Sequence, residues 1–255
     1  MRSRLLTFLI LSALSLNFLG CNKTDQLVTA SIADYFPLQV GKYLTYRLDS
    51  SLYVNFGQRK EIRSSVMRDL VDAAITDNLG RPSFRIRRLL RNGADTSKWT
   101  EHSTYFVTPL QNSLELVENN LRFIKLQLPV RESFSWYGNR YLPVDMFPQF
   151  GFNSTAHSDL NSWEYHYENV DLADTINGRV FTSITIASTI TDSTGFPPKD
   201  LNAPAFKTVW QEKYGKGVGL ISRNVSLEEF QPRTSTYPNG YYSGFALKQT
   251  LIDHN

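Results

Sequence analysis

Over most of the chain the apolar residues recur every second position, and this period constrains the fold more than any other feature. Leu44, Tyr46 and Leu48 alternate with Thr45 and Arg47, and Phe84 and Ile86 alternate with Arg85 and Arg87. Val180, Thr182, Ile184 and Ile186 repeat the pattern. Val218 and Leu220 alternate with glycines, and Phe245, Leu247 and Leu251 make a last run. Successive side chains of a strand point to opposite faces, so such runs read as half-buried strands. Residues 121–128 give a further strand with a less regular alternation. Turn-forming residues separate the runs: Asn78-Leu79-Gly80-Arg81, Asn92-Gly93, Asn119-Asn120, Asn177-Gly178, Pro197-Pro198 and Pro238-Asn239-Gly240. Many short strands joined by turns predict an all-β chain: a single antiparallel, strongly curved sheet forming a half-barrel or barrel, with long loops. The 255 residues are 41% hydrophobic and include 16 Phe, 13 Tyr and 4 Trp, enough to fill one large core.

One stretch fits two periods. Ile62, Val66, Leu70 and Ala74 recur every four residues, which suits a helix face. The same stretch runs into Asn78-Gly80 and Phe84 as a long hairpin would. A strand is the expectation for 60–76, and a helix packed into the concave side of the sheet is the alternative. Residues 143–162 and 192–206 mix Pro, Gly, Asn and Asp with aromatics and read as long loops. Loops of that length are uncommon unless they serve a function. Phe147, Phe150 and Phe152 either cap the core, which is the expectation, or line a ligand opening, which makes them the candidate ligand-binding residues.

The N-terminus has a different logic. Arg2 and Arg4 precede an apolar stretch, Leu5 to Leu16, that is too short for a membrane span of about 20 residues and suits an export signal. Leu16-Asn17-Phe18-Leu19-Gly20 then leads to Cys21, the only cysteine. This resembles the lipobox of bacterial lipoproteins. The resemblance implies cleavage between Gly20 and Cys21, diacylglyceryl attachment to the Cys21 sulfur, and acylation (palmitate or a similar chain) of the new N-terminus. Each buried acyl CH₂ contributes about 0.8 kcal/mol, so two or three chains anchor a protein that does not itself span. The expected organisation is a signal peptide at 1–20, a lipidated tether at 21–33 and a single β-rich domain at 34–255. Asn22, where lipoproteins retained at the inner membrane often carry Asp, resembles the outer-membrane sorting pattern. Lys23 and Asp25 partly resemble a surface-export signal of Bacteroidota lipoproteins. The expected location is the outer membrane, lipid-anchored, on either its periplasmic or its surface face.

Composition and motifs remove most other classes. The formal net charge of +3 falls to +1 once Arg2 and Arg4 leave with the signal, so charge gives no case for nucleic-acid binding. A lone cysteine builds no intramolecular disulfide, zinc knuckle or iron–sulfur cluster. The histidines are His102, His157, His166 and His254, and none forms an HExxH pair. His157 and His166 sit near Asp159, Glu164 and Glu168, and Glu164, His166 and Glu168 share one strand parity; a polar solvent face is the expectation and a metal site the alternative. No G-x-S-x-G elbow occurs, and Gly215-Lys216-Gly217-Val218-Gly219 lacks the Walker ending, so its glycines read as a bend or bulge. Glu228-Glu229 gives no glycosidase geometry by sequence alone. Arg81, Arg85, Arg87 and Arg91 share a parity; cross-strand pairing with Asp69, Asp72 or Asp77 is the expectation, and a lipid- or partner-binding stripe the alternative. No catalytic residue, metal or cofactor is expected.

Three segments carry a family resemblance. Tyr35-Phe36-Pro37-Leu38 followed by Gly41, Lys42, Tyr43 and Tyr46; Tyr214 to Ile221; and Ser243-Gly244-Phe245 to Leu251-Ile252-Asp253 resemble the start, a glycine-rich strand and the closing strand of Bacteroidota outer-membrane lipoproteins of uncharacterised function, a resemblance that extends to a relation with TapB-like periplasmic folds as an expectation. The resemblance implies a β-rich envelope domain and brings no catalytic residue with it. The functional expectation is a non-enzymatic binding or assembly module. It would hold an apolar ligand or dock an envelope partner protein. The alternatives are a structural accessory subunit of an envelope complex and a loop-based hydrolase.

Overall fold

Among the described residues twelve strands follow a one-turn helix, α1 (Ile32–Tyr35): β1 (Tyr43–Val54), β2 (Arg59–Thr76), β3 (Pro82–Asn92), β4 (Thr100–Pro109), β5 (Ser113–Glu118), β6 (Leu121–Gln127), β7 (Ser135–Tyr137), β8 (Glu164–Ile176), β9 (Arg179–Ser188), β10 (Ala205–Gly215), β11 (Gly219–Gln231) and β12 (Tyr241–His254). This computed structural model describes residues 30–92, 98–145, 147–152 and 159–255, so Gly20, Cys21 and His157 lie outside the described residues. The strands make one sheet in the order β6-β5-β4-β3-β2-β1-β12-β11-β10-β9-β8-β7. Every pairing within it is antiparallel. Each half is a meander, and the first and last strands join them.

The sheet curls until its two outermost strands, β6 and β7, stand side by side and nearly close a barrel. Few ladder bonds join them, and side chains complete the seam. The Ile124 amide donates to the Gly138 carbonyl at 2.8 Å. The Trp136 indole donates to the Ile124 carbonyl at 3.0 Å. The Tyr167 hydroxyl accepts from the Gln127 amide at 3.1 Å and donates to the Gln127 carbonyl at 2.8 Å. A Cβ at Gly138 would stand 2.9 Å from the Ile124 oxygen and 2.6 Å from the Tyr165 ring, so glycine is what lets the seam approach.

Residues 60–76 are strand, not helix. The helix-like series Ile62, Val66 and Leu70 falls on one parity of β2, opposite to the buried Met67 and Val71. A register shift between Val71 and Ala73 then breaks the period. Strand β9 departs from its apolar pattern for a simple reason. Its pairing with β10 covers only Ser183 to Ala187, so Ile184 and Ile186 are buried while Val180, on the same parity, is 70% exposed.

The hairpins β2–β3, β4–β5, β8–β9 and β10–β11 turn at one end of the barrel, where the chain also enters and leaves. We call this the tether end, after the tether expected at 21–33. Helix α1 closes it. Ser31 caps the helix reciprocally with Asp34: the Ser31 hydroxyl accepts from the Ala33 amide at 3.1 Å, and the Asp34 carboxylate accepts from the Ser31 amide at 2.8 Å. Tyr35 is fully buried and donates to the Asp171 carboxylate, and the Gly217 amide donates to the Asp34 carbonyl at 2.6 Å. Ala30 and Ile32 also pack on the core. Among the described residues no helix is long and apolar enough to cross a membrane.

Candidate functional site

The middle of the barrel is charged. Glu212 points inward between Trp210 and Tyr214, on the apolar parity of β10. Its Oε1 accepts from Lys125 Nζ at 2.8 Å, Arg223 Nε at 2.9 Å and the Trp210 indole at 3.3 Å, and its Oε2 from the Tyr214 hydroxyl at 2.5 Å. Lys125 reaches it from β6, across the lumen. Beside it, Arg88 grips Asp69 with Nε at 2.8 Å and Nη2 at 3.1 Å, and its Nη1 donates to Glu118. Tyr105 donates to Asp69 at 3.1 Å. Three carboxylates thus meet three cations in low dielectric. Burial opposes the charge on Glu212, but Arg223 and Lys125 outweigh it and hold the carboxyl well below its ordinary range. Burial pushes the Lys125 ammonium down, with Glu212 opposing. Burial also pushes the Tyr46, Tyr105 and Tyr214 hydroxyls far up.

The lumen differs on the two sides of this girdle. Toward the tether end Val107, Leu114, Leu126, Ile184 and Ile221 are fully buried. A cavity of about 30 Å³, room for one water, borders Asp69 and Tyr105 there. Toward the far end the inward-facing Leu48, Leu90, Leu121, Phe245 and Leu247 are only half-buried, though they pack on the core. Arg223, inward-facing and bonded to a carboxylate that is itself 4% exposed, keeps 17% exposure. Inward side chains retain exposure only where they border an opening. The register puts Glu212, Arg223, Gln249, Leu48 and Ser65 in one continuous inner row. Gln249 is 1% exposed, and its Nε2 has no hydrogen-bond partner among the described residues.

The expected site residues fall in three places. Phe147 and Phe150 pack on the lumen residue Phe245, at ring distances of 4.9 and 4.8 Å, and Phe152 is buried. Phe147 and Phe150 therefore lie against the far mouth of the lumen. Tyr165 and Tyr167 face inward, which leaves Glu164, His166 and Glu168 on the outer face; Glu168 accepts from Gln211 at 3.0 Å. Among the described residues no three His, Cys, Asp or Glu side chains cluster as a metal site would require. Glu228 and Glu229 are adjacent in β11 and take opposite faces; Glu228 is buried and accepts from Tyr53 at 2.5 Å and Lys60 at 2.9 Å.

The arginine stripe is paired on the outer face. Arg81 bridges Asp77 and Glu115, Arg85 and Arg87 share Asp72, Arg87 also meets Glu101, and Arg91 lies 4.7 Å over the Trp99 ring. Asp69, expected to pair with this stripe, faces inward and binds Arg88 instead, because it shares parity with Met67 and Val71.

Sequence reasoning passed over the girdle itself, although a signal for it exists. Asp69, Arg88, Glu118, Lys125, Glu212 and Arg223 each occupy the apolar parity of a strand, as Arg88 does between Ile86 and Leu90. A charge on the buried parity must be paired. Six such positions with balanced signs mark an interior network.

No protein family and no curated protein matches the chain. Solved structures resemble it distantly. One, described as an exported protein with a YmcC-like fold from Bacteroides fragilis NCTC 9343, is 11% identical; the match covers 86% of this chain and 99% of that one, with a TM-score of 0.37. A second, described as a lipoprotein from Parabacteroides distasonis ATCC 8503, is 13% identical, with 87% and 98% covered and a TM-score of 0.34. A third, described as an outer membrane lipoprotein-sorting protein domain from Vibrio parahaemolyticus, is 11% identical, with 84% and 85% covered and a TM-score of 0.22. At these TM-scores none of the likenesses assigns a role to this chain.

Proposed function

We propose that this protein is a lipid-anchored lipoprotein of the bacterial outer membrane whose barrel is a non-enzymatic binding module for an apolar ligand. The anchor is supported by Cys21, the one thiol, standing where lipidation chemistry needs it. The binding role is supported by one observation above the others. Leu48, Leu90, Leu247 and Phe245 face inward yet stay half-exposed, forming an apolar wall above a charged floor. Apolar concavities with a few convergent polar groups are the usual form of small-molecule sites.

The test is mass spectrometry of protein extracted gently from native membranes, with Cys21→Ser and Leu247→Trp variants. The expected result is an acylated Cys21 peptide and a co-purifying lipid. The lipid should be lost from Leu247→Trp, whose indole fills the lumen. Cys21→Ser should leave the membrane fraction. An unmodified Cys21 would overturn the anchor. A lipid complement identical in Leu247→Trp and the parent protein would overturn the lumen as the site.

A further inference from the structure

We infer that Arg223 and Gln249 form a head-group subsite, so that the lumen takes a single-chain amphiphile with an anionic oxygen head, a carboxylate or a phosphate. This rests on the lumen reading above and adds the chemical class of the ligand. The two residues are direct cross-strand neighbours on the inner face, Arg223 in β11 and Gln249 in β12. Arg223 spends its Nε on Glu212 and keeps exposure toward the opening, and no hydrogen bond from its Nη nitrogens is present among the described residues. Gln249 is buried with an unpartnered Nε2. Buried donors without acceptors cost free energy, and nearly all such groups in folded proteins find a partner. Two donor groups side by side in the same row fit one acceptor group with two or more oxygens, and a guanidinium favours an anion.

The wall sets the tail. From Gln249 the inner face of β12 continues with Leu247 and Phe245 toward the far mouth, and on the neighbouring strand Val225 and Leu227 pair with them. A chain whose head sits at Arg223 and Gln249 therefore runs along Leu247 and Phe245, the partly exposed members of this wall, while Val225 and Leu227 behind them are already covered. It leaves past Phe147 and Phe150, which close on Phe245. The girdle stops it from passing deeper, because Glu212 and Lys125 span the lumen below the head.

Binding of dodecanoate, dodecyl phosphate and dodecanol to the full-length protein, and to Gln249→Leu and Arg223→Lys, tests the assignment. The readout is displacement of a lumen fluorophore. Dodecanoate or dodecyl phosphate should bind at least tenfold tighter than dodecanol, and the stronger of the two identifies the head. Gln249→Leu removes an amide whose Nε2 is unpartnered, at nearly constant volume, so the protein should fold as the parent does. It should lose about tenfold in anion affinity, the effect of one hydrogen bond to a charged group, with dodecanol unchanged. Arg223→Lys keeps the charge beside Glu212 but loses the fork, and should also weaken the anion selectively. Equal affinity for dodecanol and the anions, or an unchanged anion affinity in Gln249→Leu, overturns the head-group subsite and leaves the apolar lumen standing. No binding of any of the three overturns both.

Discussion

Replacing Glu212 with Gln should be among the most damaging isosteric changes in this protein. The carboxylate is 4% exposed and is the common acceptor of Lys125, Arg223, Trp210 and Tyr214. An amide keeps one oxygen for these donors and turns an NH₂ toward another. Two buried cations then share no counter-charge. Removing one partner of a buried pair costs about 3–5 kcal/mol, because the charge left behind stays desolvated. For a domain of this size that corresponds to a Tm lower by about 10 °C. The loss should be greatest at neutral and acidic pH. Burial already pushes the Lys125 ammonium down, so as pH rises it sheds its proton in the variant and relieves part of the penalty. Lys125→Met should cost less, because Glu212 keeps Arg223 and two neutral donors. The combined variant Lys125→Met, Glu212→Gln, Arg223→Met removes all three charges. It should recover to within about 1 kcal/mol of the parent, as replaced buried ion clusters commonly do. Chemical denaturation followed by circular dichroism at pH 6 and pH 9 measures each value. A Glu212→Gln cost below about 1 kcal/mol at pH 6, or a combined variant no more stable than Glu212→Gln, would refute the reasoning.

Alkaline pH should unfold the protein through its buried tyrosines. The hydroxyls of Tyr46, Tyr105 and Tyr214 are raised well above 10.0, so the stability they carry is complete below pH 10 and lost as pH climbs past it; a stability profile flat between pH 9 and 12 would contradict this. Gly244→Ala should cost more than about 3 kcal/mol, since its φ is +89° and a Cβ would stand 1.9 Å from the Leu227 carbonyl oxygen; denaturant midpoints give the value. Tyr167→Phe should open the seam, losing both bonds to Gln127 at a cost of about 1–3 kcal/mol, with faster hydrogen exchange at the Gln127 amide as the specific sign.

The strands were legible wherever one face is wet, because period two is then visible in the sequence, as in Phe84 and Ile86 of β3. The barrel was legible as a curved sheet, but its order was not: the joining of β1 to β12 rests on pairs such as Leu48 with Gln249, 201 positions apart, which no local pattern encodes. The family-like segments turned out to be structural hinges. Tyr35 is buried beneath the tether end, Gly217 takes φ +74° in the β10–β11 turn, and Gly244 lets β12 approach β11. The candidate site was half legible. Phe147 and Phe150 do gather with Phe245, yet the loop gave no sign of which wall they would meet. The charged girdle was readable only by asking which parity each charge occupies, because a lone Arg88 or Glu212 looks like a surface residue until its strand neighbours are counted.

On the proposed reading, the girdle also decides which end of the barrel binds. Charges buried at the centre do not make the fold more stable than apolar side chains would, so they are poorly explained as a device for stability. Their geometric effect is clear. Lys125 of β6 and Glu212 of β10 bridge two walls of the barrel, and below that bridge the interior is closed by Tyr46, Tyr105 and helix α1. Above it the wall is apolar and half-exposed. An anchor at Cys21 would hold the closed end toward the membrane and leave the far mouth pointing away from it. A ligand would then be received or released on the side remote from the anchor. A partner that hands the ligand over should bind the far-end loops, between β11 and β12 and around Phe147, rather than the hairpins beside the tether.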